Sequence, residues 1–194
     1  VSIGASDFHP DWGPTPLLDL IEHELGHTIG LPHSGDGGPG DDPYTSALDV
    51  MSNSAAPRTV DPARRDGPST LAINLFDVGW LDPDDVETLD RDGDGGEVEL
   101  APVTAADGDS DGDDGTRLVL LAVDEHRVLT VEYRTATGFD AHLPEPGIAV
   151  HLVDDAAGTA IERAQVPVHT SRRPFTDLLG PDGSLTTNGW TIDV

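Results

Sequence analysis

Within eleven residues this chain carries His23-Glu24-x-x-His27-x-x-Gly30-x-x-His33. Residues four apart on a helix are displaced by only about 40° around its axis, so His23 and His27 point the same way and can grip one metal ion. A third ligand six residues later cannot come from the same straight helix. Gly30 supplies the turn that brings His33 back, because glycine alone accepts positive φ without strain. Three neutral imidazole nitrogens about 2.0–2.1 Å from Zn²⁺ leave a fourth position for water, as in a catalytic site. Glu24, next to the first ligand, then stands where it can take that water's proton. Five fixed positions arise by chance about once in three million starts, so coincidence does not explain the pattern.

These residues need a helix, a turn and a support. Thr15-Pro16 reads as a helix start, and Leu17, Leu18, Leu20, Ile21, Leu25 and Ile29 recur at helical spacing, which predicts a helix over 16–29 with that stripe inward. Residues 35–46 form a Gly/Asp/Pro loop in which Asp36, Asp41 and Asp42 fit no defined calcium cage. Ser69-Thr70 opens a second helical stretch, with Leu71, Leu75, Phe76, Val78 and Trp80 as its core stripe. After Asp82-Pro83 the pattern changes to short β-branched runs at 97–103, 117–123, 128–134, 148–153 and 190–194, the spacing of an antiparallel sandwich. The expected fold class is therefore α+β, with a division near residue 85: a zinc-site domain over 1–85 and a β-rich module over 86–194. Glu132 and Arg134, two apart on one strand, are expected to form a structural ion pair. His9, His126, His142, His151 and His169 lack ligand spacing.

The chain has 10 basic residues, all arginine, against 37 acidic ones, of which 28 are Asp, for a net charge of −27. So acidic a surface repels nucleic acid and anionic membranes and is best screened by concentrated salt, which suggests a halophilic source. There is no cysteine, hence no disulfide, and no apolar run of membrane-spanning length. Two linkers, from Asp90 and from Asp107, begin like EF-hand loops. Their twelfth positions are Ala101 and Leu118, where a bidentate Glu is needed, so Ca²⁺ there is at most a weak loop ligand.

The HELGH motif with its third histidine, followed by Met51, the chain's single methionine, resembles the metzincin metallopeptidases. The further order DVMS, GWL, VEYR, GFD and PGIAVHLVD is similar to the immune inhibitor A-like and gametolysin-like members and covers most of residues 15–155. The resemblance implies the C-terminal part of a metzincin catalytic domain followed by an antiparallel β-sandwich-like module. It also implies a zinc endopeptidase acting on extracellular proteins or peptides: Zn²⁺ on His23, His27 and His33, Glu24 as base, and Met51 as the floor under the ligands. The same resemblance implies a secreted enzyme, and a monomer is expected. It further implies an upstream sheet, of which Val1 to Ala5 would be the last, substrate-pairing strand. Some metzincins carry a tyrosine two residues after the methionine, as an extra ligand or oxyanion donor. This chain has Asn53 there, leaving Asn53 or Tyr44 as substitutes. Two rival readings are a matrixin-like peptidase, on the strength of Ser34 after His33, and a non-catalytic surface or adhesion module stapled by zinc.

Overall fold

The computed structural model describes residues 18–35, 44, 46–52, 67–93, 95–103, 115–156, 160–163 and 178–194. Val1 to Ala5, His9, Asp36, Asp41, Asp42, Asn53, the 107–114 linker and His169 lie outside the described residues. The fold is mixed α and β with few helices. Helix α1 runs Leu18–Thr28 and α2 Ala72–Asp77. Six strands form one sheet in the order β1 (Ser34–Gly35), β6 (Ala160–Arg163), β5 (Gly147–Asp154), β4 (Arg127–Arg134), β3 (Leu118–Ala122) and β2 (Val86–Leu89). The β1–β6 and β2–β3 pairs are parallel and the others antiparallel. Strands β7 (Ser184–Thr187) and β8 (Trp190–Asp193) form a separate hairpin.

Strand alternation assigns the two faces. On one, Val119, Leu121, Leu129, Val131, Ile148 and Val150 meet Leu179 and the hairpin residues Leu185, Trp190 and Ile192. On the other, Leu118, Val128 and Val153 meet Leu71, Ala72, Ile73 and Leu81 around α2. Among the described residues the layering is thus a helical layer, one broad sheet and a two-stranded flap, not two sheets of comparable size. The run 97–103 contributes only isolated bridges, Leu100 to Thr116 and Pro102 to Tyr133. Trp190 anchors the flap by donating its indole N–H to the Ala122 carbonyl at 2.8 Å.

Two apolar stripes differ from expectation. Leu18 and Leu25 of α1, and Ile29 just after it, are exposed, and the buried residues of the helix are Asp19, His23 and Gly26. The inward face of α1 is the one that carries His23 and Gly26, because the contact of Gly26 with Met51 and the His23 bond to the Val50 carbonyl fix it there. Trp80 is 69% exposed, while Ala72 and Ile73 fill the α2 contact in its place. Helix α2 also starts two residues later than Ser69-Thr70 suggests. Its cap residue Leu71 makes no side-chain capping bond, and the first-turn Ala72 N–H is taken by the Glu132 carboxylate from β4.

The Glu132–Arg134 pair is present at 2.8 Å, with both side chains 1% exposed. Its third member, Asp140, accepts two bonds from the same guanidinium, at 2.9 and 2.8 Å. Burial alone would lower the Arg134 pKa, but the Asp140 and Glu132 carboxylates more than reverse this and hold it charged well above its ordinary value. The cluster reaches across residue 85. Asp140 accepts from the Ser69 N–H, and Arg134 donates to the Thr70 carbonyl.

Candidate metal centre

Helix α1 carries His23 and His27 and stops at Gly30. The stop is a Schellman turn: the Leu31 N–H reaches the Gly26 carbonyl at 3.1 Å and the Gly30 N–H the His27 carbonyl at 3.2 Å. Gly30 has φ +98°, the conformation that the return of His33 requires. The chain then passes through Pro32 and His33 into β1, where the Ser34 N–H meets the Met51 carbonyl.

The outcome is a tight triangle. The three Nε2 atoms are separated by 3.2 Å (His23–His27), 3.0 Å (His27–His33) and 3.3 Å (His23–His33). Tetrahedral ligands on Zn²⁺ stand about 3.3–3.4 Å apart, so the spacing fits a single ion with little movement. The Nδ1–H of His23 donates to the Val50 carbonyl at 2.7 Å and that of His27 to the Leu31 carbonyl at 2.9 Å. Each bond spends the ring's proton on the far side and leaves a bare lone pair at Nε2, as a backing carbonyl does for a metal-ligating histidine. Lone pairs converging at 3.0–3.3 Å repel one another unless a cation sits among them. His23, His27 and His33 could therefore hold a metal ion, His23 being the most buried and His33 the most open. Burial, then the neighbouring His27 and His23, lowers the His33 pKa, with Glu24 opposing, which favours the neutral form that ligation needs.

Met51 is fully buried with Leu31 and Val50, against the helix that carries His23 and His27. A Cβ at Gly26 would overlap the Met51 sulfur and come within 3.1 Å of its terminal methyl. The glycine inside HELGH is thus the space in which the methionine sits. The motif contains that glycine, but nothing in one sequence assigns it this role.

Asp49 is the second residue that the sequence hides. It has 0% exposure and accepts from the Ser34 hydroxyl, the Met51 N–H (3.0 Å), the Thr70 hydroxyl (3.0 Å) and the Asn74 amide (3.3 Å). It therefore joins β1, the turn that carries Met51, and α2. Burial pushes its carboxyl up from the ordinary value, and the bonds from Ser34, Met51 and Thr70 and the Arg134 charge pull part of the way back. His142 also ties the turn down, its Nε2 lying 2.7 Å from the Ala47 carbonyl. His126 is exposed beside Asp155 and His151 is buried in β5, both away from the triangle. Tyr44 is at the triangle: its hydroxyl lies 3.3 Å from His33 Nε2.

Among the described residues no helix is long and apolar enough to cross a membrane. Comparison with protein-family models, with curated proteins and with solved structures finds no match to this chain.

Proposed function

We propose that this chain carries the metal centre of a zinc-dependent endopeptidase of metzincin type that is secreted and adapted to salt. The observation that carries the reading is the convergence of three Nε2 atoms within 3.0–3.3 Å, two of them backed by main-chain carbonyls. Half-buried Glu24 adjoins the first ligand on the same helix, and its charge is felt at the His33 ring. A bound zinc would polarise the scissile carbonyl and acidify a water molecule. Glu24 accepts the proton of the attacking water and returns it to the leaving amine, a role that needs a carboxylate within hydrogen-bond reach of both. His23 and His27, with their far nitrogens fixed by Val50 and Leu31, hold the ligand geometry through that cycle. The strongly acidic composition disfavours nucleic acid as a partner.

The test is Glu24→Ala, with zinc content measured alongside cleavage of an unfolded protein substrate from low to molar salt. The expected variant keeps one zinc per chain and loses cleavage. Undiminished cleavage sinks the mechanism. A wild type that binds zinc but cleaves nothing at any salt concentration favours the zinc-stapled binding module, a reading that draws on the continuous buried contacts from Ser34 to Arg134.

A further inference from the structure

We infer that Ser34 is the positioning residue of the third ligand: its buried hydroxyl, bonded to Asp49, does for His33 through the main chain what two carbonyls do for His23 and His27 through their rings. The inference rests on the metal-binding part of the reading above and not on the hydrolytic step. The three imidazoles are held unequally. His23 and His27 leave one helix, and each donates its Nδ1–H to a main-chain carbonyl, of Val50 and of Leu31. The His33 ring has its hydrogen-bond contacts among the described residues at Nε2 alone, and meets the His27 and Tyr44 rings edge-on with centroids 4.6 and 5.1 Å away. A ligating imidazole with no backing acceptor has to be placed by its backbone.

That backbone is stiff on both sides. Pro32 precedes His33 with its φ locked by the ring. Ser34 follows it and is tied at three points: its N–H meets the Met51 carbonyl, β1 pairs with β6 at Ile161, and its hydroxyl donates to the Asp49 carboxylate. Ser34 is 1% exposed and Asp49 0%, so water does not compete for the last of these, and a bond to a carboxylate is of the strong, charge-assisted kind. The other Asp49 oxygen takes the Met51 N–H and the Thr70 hydroxyl, which keeps the carboxylate from swinging. Residues 49–51 therefore set two ligands at once. Val50 backs the ring of His23, while Asp49 and Met51 hold the neighbour of His33. Without the hydroxyl, the side of Ser34 that faces this turn keeps only the longer N–H contact, at 3.4 Å.

The experiment is a cycle of four full-length proteins: wild type, Ser34→Ala, His33→Ala and the double variant. Zinc affinity is measured on the first two by competition with a chelator. Cu²⁺ affinity is measured on all four, because Cu²⁺ is the divalent first-row ion held most tightly, so the proteins left with two imidazoles still titrate. Ser34→Ala is expected to bind zinc and Cu²⁺ about 10-fold more weakly than the wild type. In the His33→Ala background the same change is expected to leave Cu²⁺ affinity unaltered, since no third ligand remains to be placed. An equal loss in both backgrounds overturns the proposal, because Ser34 would then act on the fold as a whole. Zinc affinity undiminished in Ser34→Ala overturns it as well. A wild type that takes up neither ion overturns the metal-binding reading and this proposal together, whereas the other two outcomes, in a wild type that binds zinc, overturn this proposal alone.

Discussion

At the scale of single residues, the centre depends as much on atoms that are missing as on those present. Gly26 lacks a Cβ, and Met51 fills the space. In an ordinary helix Gly→Ala is stabilising by up to about 1 kcal/mol, whereas here the added methyl must displace a fully buried sulfur, at a cost of about 1–3 kcal/mol. Gly26→Ala is expected to lower stability, and in a Met51→Ala background, where the space is open, the same change is expected to be neutral or stabilising. Urea denaturation of the four proteins of this cycle measures the coupling directly. An equal penalty in both backgrounds would overturn the contact between Gly26 and Met51. The histidines, Glu24 and Gly30 could be read from the sequence because their spacing is itself the chemistry. Asp49 and Asp140 could not, since they are two among 28 aspartates and only the fold reveals which are buried.

The elements meet at Asp49, which links β1, the methionine turn and α2. Its folded-state pKa is raised above the ordinary value of 3.8, chiefly by burial. The native state therefore holds the proton more tightly than the unfolded chain does. Above 3.8 and up to the folded pKa it binds the greater share of protons, so this group's contribution to stability is largest below 3.8 and declines as pH rises through that window. Glu132, also raised by burial, has the same sign. Asp49→Asn abolishes the titration but sets an amide against the donors of Ser34 and Asn74, an expected loss of about 1–3 kcal/mol in acid. The gap between wild type and variant is then expected to narrow as pH rises, as read from urea midpoints across a pH series. A gap that widens with pH would contradict the assignment. Element positions were legible where the pattern was long: α1, β3, β4 and β5 fall on the expected runs. The strands SLTT, AIER and the two-residue β1 were not, because so few apolar positions carry no period and their pairing is set by partners far along the chain.

Across the whole molecule, the histidine centre and the broad sheet are bound through one buried charge cluster. Arg134 satisfies Glu132 and Asp140, and these carboxylates in turn hold the Ala72 and Ser69 N–H groups at the start of α2. Helix α2 then reaches Asp49 through Asn74, and Asp49 reaches β1 through Ser34. The change of composition near residue 85 suggests a division, yet the contacts run straight across it, since a strand's hydrophobic pattern says nothing about a buried arginine's partners. Removing the guanidinium strands two buried carboxylates, a loss of about 3–5 kcal/mol when one member of a buried ion pair is deleted. Arg134→Met is therefore expected to destabilise the sheet and to weaken zinc binding, although Arg134 touches none of the ligands. Replacing Glu132, Arg134 and Asp140 together by Gln, Met and Asn removes the stranded charge while leaving groups able to accept from α2, and it is expected to recover part of both losses. Zinc affinity and urea midpoint, measured on the single and triple variants, decide the matter. If zinc affinity is untouched while stability falls, the sheet is a neighbour of the metal centre and not its foundation.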